Sequence, residues 1–343
     1  MPVHTRDGFT LERNKVVMAR PRSVPAPRKP VPVPRKPVPV FRKSVSVPAR
    51  PRLAPVPASL AVPGKFLVRA GMKICIASTF NRKYLMGGRT MIKSVRRHTD
   101  CTGVDFKIIT DDAEVVKAFG PENCHIVTDE IKARYNNVQY SPELPREKYC
   151  ASWYRYEIFS FEGYDRVICI DSDCICIEDI SYLFSADLDP YDLISVEDHI
   201  VSKCFLKNVV HLSSLGLRFE GLNRRIQNRQ IDVQPALLVA NKSIVNKVWY
   251  DRLIHFANTH GFTYSIDEGI LNEFIYDDNL KIKLLPLEWD YQDLYEIHCP
   301  SLRIPRRPVI VHCQESKPFL KEKRTLDRRM QKWHDRWWRE HRA

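Results

Sequence analysis

The run Val167-Ile168-Cys169-Ile170 ends on Asp171-Ser172-Asp173, and this junction limits what the chain can fold into more than any other stretch. Four consecutive apolar residues without alternation read as a strand covered on both faces, the habit of a parallel sheet. Two carboxylates one residue apart then fall at the strand's carboxyl end, where open α/β sheets bind their ligands. Bare carboxylates are costly to bury, so a cation or water has to meet them there. Two readings stay open at this point. One is a hard divalent ion bridging to a phosphate, for which carboxylate oxygens are suited. The other is a solvated acidic turn.

The surrounding pattern alternates strands with helices. Lys73 to Ser78 reads as a first strand, residues 87–98 as a helix, and Phe106 to Thr110 as a second strand. A helix around residues 148–162 then leads into the 167–170 strand. Such alternation predicts βαβ units, a mostly parallel sheet and one large α/β domain over residues 72–320.

Charge separates this body from a tail. The 343 residues carry a net charge of +13, yet residues 1–71 hold 15 Lys and Arg against 2 Asp and Glu, and the remainder is neutral with 39 of each sign. The basic surplus that points to nucleic acid or an anionic surface therefore belongs to the tail. Residues 1–71 also hold 14 of the 24 prolines, with seven-residue units starting at Arg28, Arg35 and Arg42. Proline at this density excludes helix and most sheet pairing, so a disordered, extended tail is expected. It reads either as a tether for an anionic partner or as a solvated segment.

The ten cysteines form no CxxC pair, and reduced thiols are expected. With no apolar signal core and no run of 18 apolar residues, the expectation is a cytoplasmic protein without signal peptide or transmembrane helix. Residues 321–343 are distinct, with 9 Lys and Arg, 4 Asp and Glu, and three tryptophans. In a helix, Leu326, Met330, Trp333 and Trp337 share one face. That pattern fits either a basic interfacial helix associating peripherally with a membrane or a terminal helix packed on the body.

Several ordered motifs carry a resemblance. They are Asn81 to Gly87 (N-x-x-Y-x-x-G), Trp153-Tyr154-Arg155-Tyr156 (Y-x-R-L), Asp171-Ser172-Asp173 (DxD) and Asp267 to Asn272 (D-Q-D-x-L-N). Leu285 to Gln292 (L-P-x-x-W-N) and Val309 to Phe319 (I-x-H-F-x-G-x-x-K-P-W) complete the set. Together, over about residues 72–319, they resemble glycosyltransferase family 8, the group holding glycogenin and bacterial lipopolysaccharide galactosyl- and glucosyltransferases. The resemblance implies a single GT-A domain that moves a hexose, galactose or glucose, from a UDP-sugar to a glycan or glycolipid with retained anomeric configuration. It implies Mn2+ or Mg2+ held by Asp171, Asp173 and His312, a cation that acts on the leaving diphosphate oxygen. Lys317 is then the candidate for the diphosphate and Arg155 for the nucleotide phosphates or for fixing the carboxylates, with Ser172 on the nucleotide side, Tyr84 for stacking on uracil and Asn81 for the base or ribose.

Asp267 is implied to hold donor-sugar hydroxyls, and Glu268 stands where the family has glutamine beneath the anomeric carbon. A carboxylate there would act as nucleophile or stabilise an oxocarbenium ion, unless a salt bridge engages it. Gln234-Pro235-Ala236 replaces an N-x-G segment, which makes Gln234 a catalytic-side candidate. Gln314 replaces a glycine whose backbone approaches the diphosphate. The rival readings are a sugar-phosphate nucleotidyltransferase and a non-catalytic protein binding through the basic tail; nucleic acid is not an expected partner of the body.

Overall fold

The computed structural model describes residues 68–138, 152–198, 232–260, 266–299, 302, 305–321 and 326–343. The expectation for the proline-rich tail lies almost wholly outside these residues. The first apolar run forms β1 (Ile74–Thr79), followed by α1 (Leu85–His98) and β2 (Val104–Thr110). Helix α1 is sided as its sequence dictates: Gly87, Gly88, Met91, Ile92 and Val95 are buried, while Arg89, Lys93, Arg96 and Arg97 stay in water. Asp112 caps α2 (Ala113–Phe119) by accepting from the Glu114 N–H, and Gly120 ends it at φ 84°. Next come β3 (Cys124–Ile126), α3 (Asp129–Ala133), β4 (Arg166–Ile170), β5 (Cys174–Cys176), β6 (Leu193–Glu197) and β7 (Val233–Asn241). The chain continues through α4 (Lys247–Thr259), α5 (Ile266–Asp277), β8 (Ile282–Leu285), β9 (Tyr291–Gln292), α6 (Tyr295–His298), β10 (Ile310–His312) and α7 (Arg328–Arg342).

Seven strands form one sheet in the order β3-β2-β1-β4-β7-β6-β8. Its pairs are parallel except where β7 runs against both β4 and β6. Every residue of β4 is buried, as the uninterrupted apolar run requires. Its first residue, Arg166, is a buried cation that is fully engaged: it donates to Asn241 Oδ1 at 2.6 Å, to the Leu183 and Ser185 carbonyls, and to Asp189 at 2.7 Å. A second sheet of three short strands, β5-β10-β9, stands at the carboxyl end of β4. The two sheets are joined directly through the Asp171–Asp173 turn.

Two expectations need correction. Over the described part of residues 148–162, Tyr154–Ser160 is a 3-10 stretch rather than an α-helix. Tyr154, Tyr156, Ile158 and Phe159 of this stretch are all buried. Among the cysteines, Cys299 is disulfide-bonded rather than free. In α7, of its two readings the Trp-bearing face takes the packed one: Met330, Trp333 and Trp337 are buried, the two tryptophans against Ile175, Tyr291, Tyr295 and Val311 of the small-sheet layer. Glu340, also buried, pairs with His98 at 3.3 Å and Arg97 at 3.6 Å on α1. What α7 offers to water is Arg328, Arg329, Lys332, Asp335, Arg339 and Arg342. No helix among the described residues is long and apolar enough to cross a membrane.

The buried role of α7 has a measurable consequence. Trp337→Ala is expected to destabilise the protein by about 3–5 kcal/mol, seen as a lower Tm, because Trp337 has no exposed surface. An interfacial tryptophan would behave differently, losing vesicle binding at unchanged Tm.

Candidate functional site

The site grows from the turn between the sheets. The Asp171 N–H bonds the Ala236 carbonyl of β7 at 2.9 Å, and the Cys174 N–H closes the turn onto the Asp171 carbonyl at 3.0 Å. Helix α1 approaches this turn closely. A Cβ on Gly87 would lie 2.6 Å from the Ser172 carbonyl oxygen and 2.9 Å from the Phe319 ring, so the contact requires glycine. Ser172 is thereby buried under α1, and its backbone faces the helix.

Asp173 and His312 meet across the small sheet, with His312 Nε2 3.2 Å from Asp173 Oδ1. Lys317 pairs with the other oxygen of Asp173. Burial works against charge in all three groups, and their mutual attraction overrides it. The His312 and Lys317 charges hold the buried Asp173 carboxyl well below the usual carboxylate range. Burial alone would lower His312, yet Asp173, with Asp290 and Asp171 beyond it, lifts the imidazole to about 9. Lys317 lies in a left-handed backbone conformation, φ 30°. The loop that carries it is anchored by Asp293, whose carboxylate accepts the Glu315 N–H at 2.9 Å and the Ser316 N–H at 2.8 Å.

Asp171 faces elsewhere. Arg155 on the 3-10 stretch donates to Asp171 Oδ1 at 2.6 Å and pairs with Asp267 Oδ2 at 2.9 Å. The Arg155 guanidinium therefore ties the β4 turn to the first turn of α5, where sequence reasoning had considered it for phosphates or carboxylates. Tyr156 fixes the same turn by donating to the Asp267 carbonyl at 2.6 Å. Asn272, one α5 turn on, clamps β7 by accepting from the Val233 N–H at 2.8 Å and donating to its carbonyl at 3.1 Å. Burial pushes Asp267 up despite Arg155.

Glu268, beside it, lies near other acids. Burial, then the charge and hydrogen bond of Asp198, then Asp232, push its carboxyl well above the usual range. Both effects disfavour the charged carboxylate at this position. Gln234 is buried on β7, where its Oε1 accepts the Ala236 N–H at 3.2 Å.

Ahead of α1, Asn81 caps a short 3-10 turn by accepting from the Lys83 N–H at 3.0 Å. Tyr84 is half-buried, edge-on to Phe319 at 5.5 Å between centroids, with Lys317 Nζ 5.5 Å from its ring centre. Phe319 leans in turn on Trp337 of α7 at 5.6 Å.

Two residues of the site were not singled out in the sequence. Cys174 joins Asp173 and His312 as a group whose ligand atoms all lie within 4.8 Å of one another. Asp290 is fully buried beside His312, and its only sequence signal is an acid where the resembling stretch has asparagine. Gln314 is partly buried on the loop leading to Lys317.

Comparison with known proteins follows from this geometry. Residues 75–218 match the model of glycosyl transferase family 8. No curated protein matches the sequence. The apo glycosyltransferase GlyE of Streptococcus pneumoniae is similar in structure, with TM-score 0.52 and 16% identity over 79% of this chain and 61% of GlyE. The apo bifunctional glycosyltransferase WbbM has TM-score 0.52 and 17% identity over 81% of this chain and 53% of WbbM. An active-site glutamine-to-glutamate mutant of LgtC has TM-score 0.52 and 16% identity over 78% of this chain and 95% of LgtC. This chain thus spans about three fifths of GlyE and about half of WbbM. Identities this low establish the shared GT-A architecture.

Arg155→Met removes the one cation shared by Asp171 and Asp267. The expected cost is about 3 kcal/mol in urea unfolding at neutral pH. The cost should shrink in acid, where the two stranded carboxylates are protonated.

Proposed function

We propose that this chain, whose residues 75–218 match the model of glycosyl transferase family 8, is a glycosyltransferase that moves a hexose, galactose or glucose, from a UDP-sugar to a glycan or glycolipid with retention at the anomeric carbon. The observation that carries this reading is the meeting of Asp173, His312 and Lys317 at the carboxyl end of β4. Departure of UDP leaves negative charge on a phosphate oxygen, and a neutralising group must already be in place as the bond breaks. The donor set fits a hard or borderline divalent ion: the Asp173 carboxylate and the His312 imidazole, with Asp171 one residue away. The Cys174 thiol stays protonated, since burial and then Asp290 push it up. Mn2+ or Mg2+ bound there supplies Lewis acidity toward the diphosphate. LgtC has been crystallised with donor and acceptor sugar analogues, which supports the same pair of substrate classes for this chain.

The protein's own groups divide the remaining work. Lys317 is a compact charge on a flexible stem, and it passes from Asp173 to the diphosphate as the donor binds. Arg155 stays with Asp171 and Asp267 and holds both carboxylates at fixed angles, which leaves Asp267 oriented toward donor hydroxyls. Tyr84 offers its ring to uracil, with Asn81 at the rim of the base and Ser172 in the turn beneath it. Gln234 shapes the sugar side of β7.

Glu268 stands where the resembling stretch has glutamine, and LgtC bearing glutamate for glutamine is described as an active-site mutant. Burial, and after it Asp198 and Asp232, raise the Glu268 carboxyl, which favours its meeting the developing positive charge as a hydrogen-bonding acid much like the amide. This differs from a carboxylate nucleophile in a testable way.

Slow release of UDP from one UDP-hexose is expected from the full chain with Mn2+. EDTA should abolish it, and Asp173→Ala should lower it by on the order of 10²-fold or more. No metal-dependent UDP release across a panel of UDP-sugars would refute the reading. For Glu268, a raised pKa keeps the neutral acid below that pKa and loses it as pH rises through it. Wild-type kcat is therefore expected to fall on the alkaline side, while Glu268→Gln keeps turnover within roughly tenfold and loses that limb. A nucleophilic carboxylate predicts the reverse, with rising activity and an inert glutamine variant.

A further inference from the structure

Asp290 is the buried charge that the reading above does not use. It follows a 3-10 turn, Leu287–Trp289, and leads directly into β9. Its side chain has no exposed surface, and among the described residues neither carboxylate oxygen has a hydrogen-bond partner. A carboxylate in that condition costs several kcal/mol. Folds keep such a group where a cationic or proton-donating partner is at hand.

The partner is His312. Its Nδ1 is likewise without a hydrogen-bond partner among the described residues, and it lies 3.9 Å from Asp290 Oδ1. Its Nε2 already faces Asp173 at 3.2 Å. The backbone holds this pair rigidly from both sides. The Val309 N–H bonds the Glu288 carbonyl at 2.6 Å, Gln292 is the parallel partner of His312, and the Asp293 N–H bonds the His312 carbonyl at 3.0 Å. Trp289 and Tyr291 flank Asp290 and are sunk in two different cores, so the segment between them cannot turn. The other charges near Asp290 are Asp171, Asp173 and Asp198, all of its own sign.

We propose that Asp290 is a positioning residue for the cation site: it takes the Nδ1–H of His312 and so commits Nε2, on the Asp173 side, to donating its lone pair to a divalent ion. From 3.9 Å, a shift of about 1 Å closes the pair to a hydrogen bond. An imidazole whose second nitrogen is bound by a carboxylate is fixed in tautomer and orientation and is more basic toward a metal. Asparagine, found in the resembling stretch, accepts the same N–H without the charge. The inference rests on the metal-dependent reading and goes beyond it by assigning a role to a residue that touches neither donor nor ion.

The test uses the full chain and Mn2+ itself, with and without UDP, following free Mn2+ by its EPR signal alongside the Tm of the metal-free protein. Asp290→Leu is expected to weaken Mn2+ binding by about 10- to 100-fold. Its metal-free Tm should equal or exceed that of the unsubstituted chain, because a buried unpartnered carboxylate is gone. Asp290→Asn is expected to bind Mn2+ within about fivefold of the unsubstituted chain, since it keeps the acceptor. Unchanged Mn2+ affinity in Asp290→Leu overturns the inference. So does a loss that comes with a lower Tm, or an equal loss in both variants. If the unsubstituted chain binds no Mn2+ at all, the metal-dependent reading itself falls, and the inference with it.

Discussion

Neutralising carboxylates at the end of the central strand is the constraint on which the rest of this structure depends. Asp171, Asp173, Asp267 and Asp290 crowd the carboxyl end of β4 and the adjoining α5 and β9. Taking even one such charge out of water costs several kcal/mol, so the cations around it are structural requirements as much as chemical ones. Arg155 serves two of these acids, and Lys317 with His312 serves a third. Each cation comes from a different element, and together these ion pairs tie the 3-10 stretch, the β4 turn, α5, β10 and the loop beyond it into one site. The charge pattern that suits a diphosphate substrate is the same pattern that holds these elements in place.

The parts of this arrangement that could be read beforehand were those that one short window determines. Val167 to Ile170 carries no polar position, so β4 had to be covered on both faces, and the acids after it had to lie at its end. Helix α1 was read within the single window 87–98, and its buried face, with Met91, Ile92 and Val95, opposes four exposed basic residues. The second sheet announced nothing. Its strands are two or three residues long, too short for a periodicity, and they exist because β5, β9 and β10 find one another from distant parts of the chain.

The C-terminal helix shows the same limit from another side. Periodicity placed Met330, Trp333 and Trp337 on one face, but it says nothing about what that face meets. The decision came from long-range partners: the small-sheet core, and Glu340 reaching Arg97 and His98 on α1. Arg155 was likewise visible as a cation near an acidic motif, yet only the fold could show that Asp267, more than a hundred residues away, shares it with Asp171. Asp290 was harder still, because an acid beside a tryptophan carries no signal until its burial is known.

These long-range contacts make α7 part of the site without touching the chemistry. Trp337 supports Phe319, Phe319 bears on Tyr84 and against Gly87 of α1, and Gly87 is where α1 meets the Ser172 carbonyl. Lys317 sits two residues before Phe319 in a left-handed conformation that non-glycine residues adopt only when their surroundings hold them there. The packing that begins at Trp337 is one of those holds, and the pairing with Asp173 is the other. Packing is indifferent to what binds, whereas the charge contact is not: Asp173 is the group that a cation would claim. A loop held by one permanent and one exchangeable contact keeps its backbone in place while its ammonium group is released, and a charge that follows a departing phosphate has to move in this way.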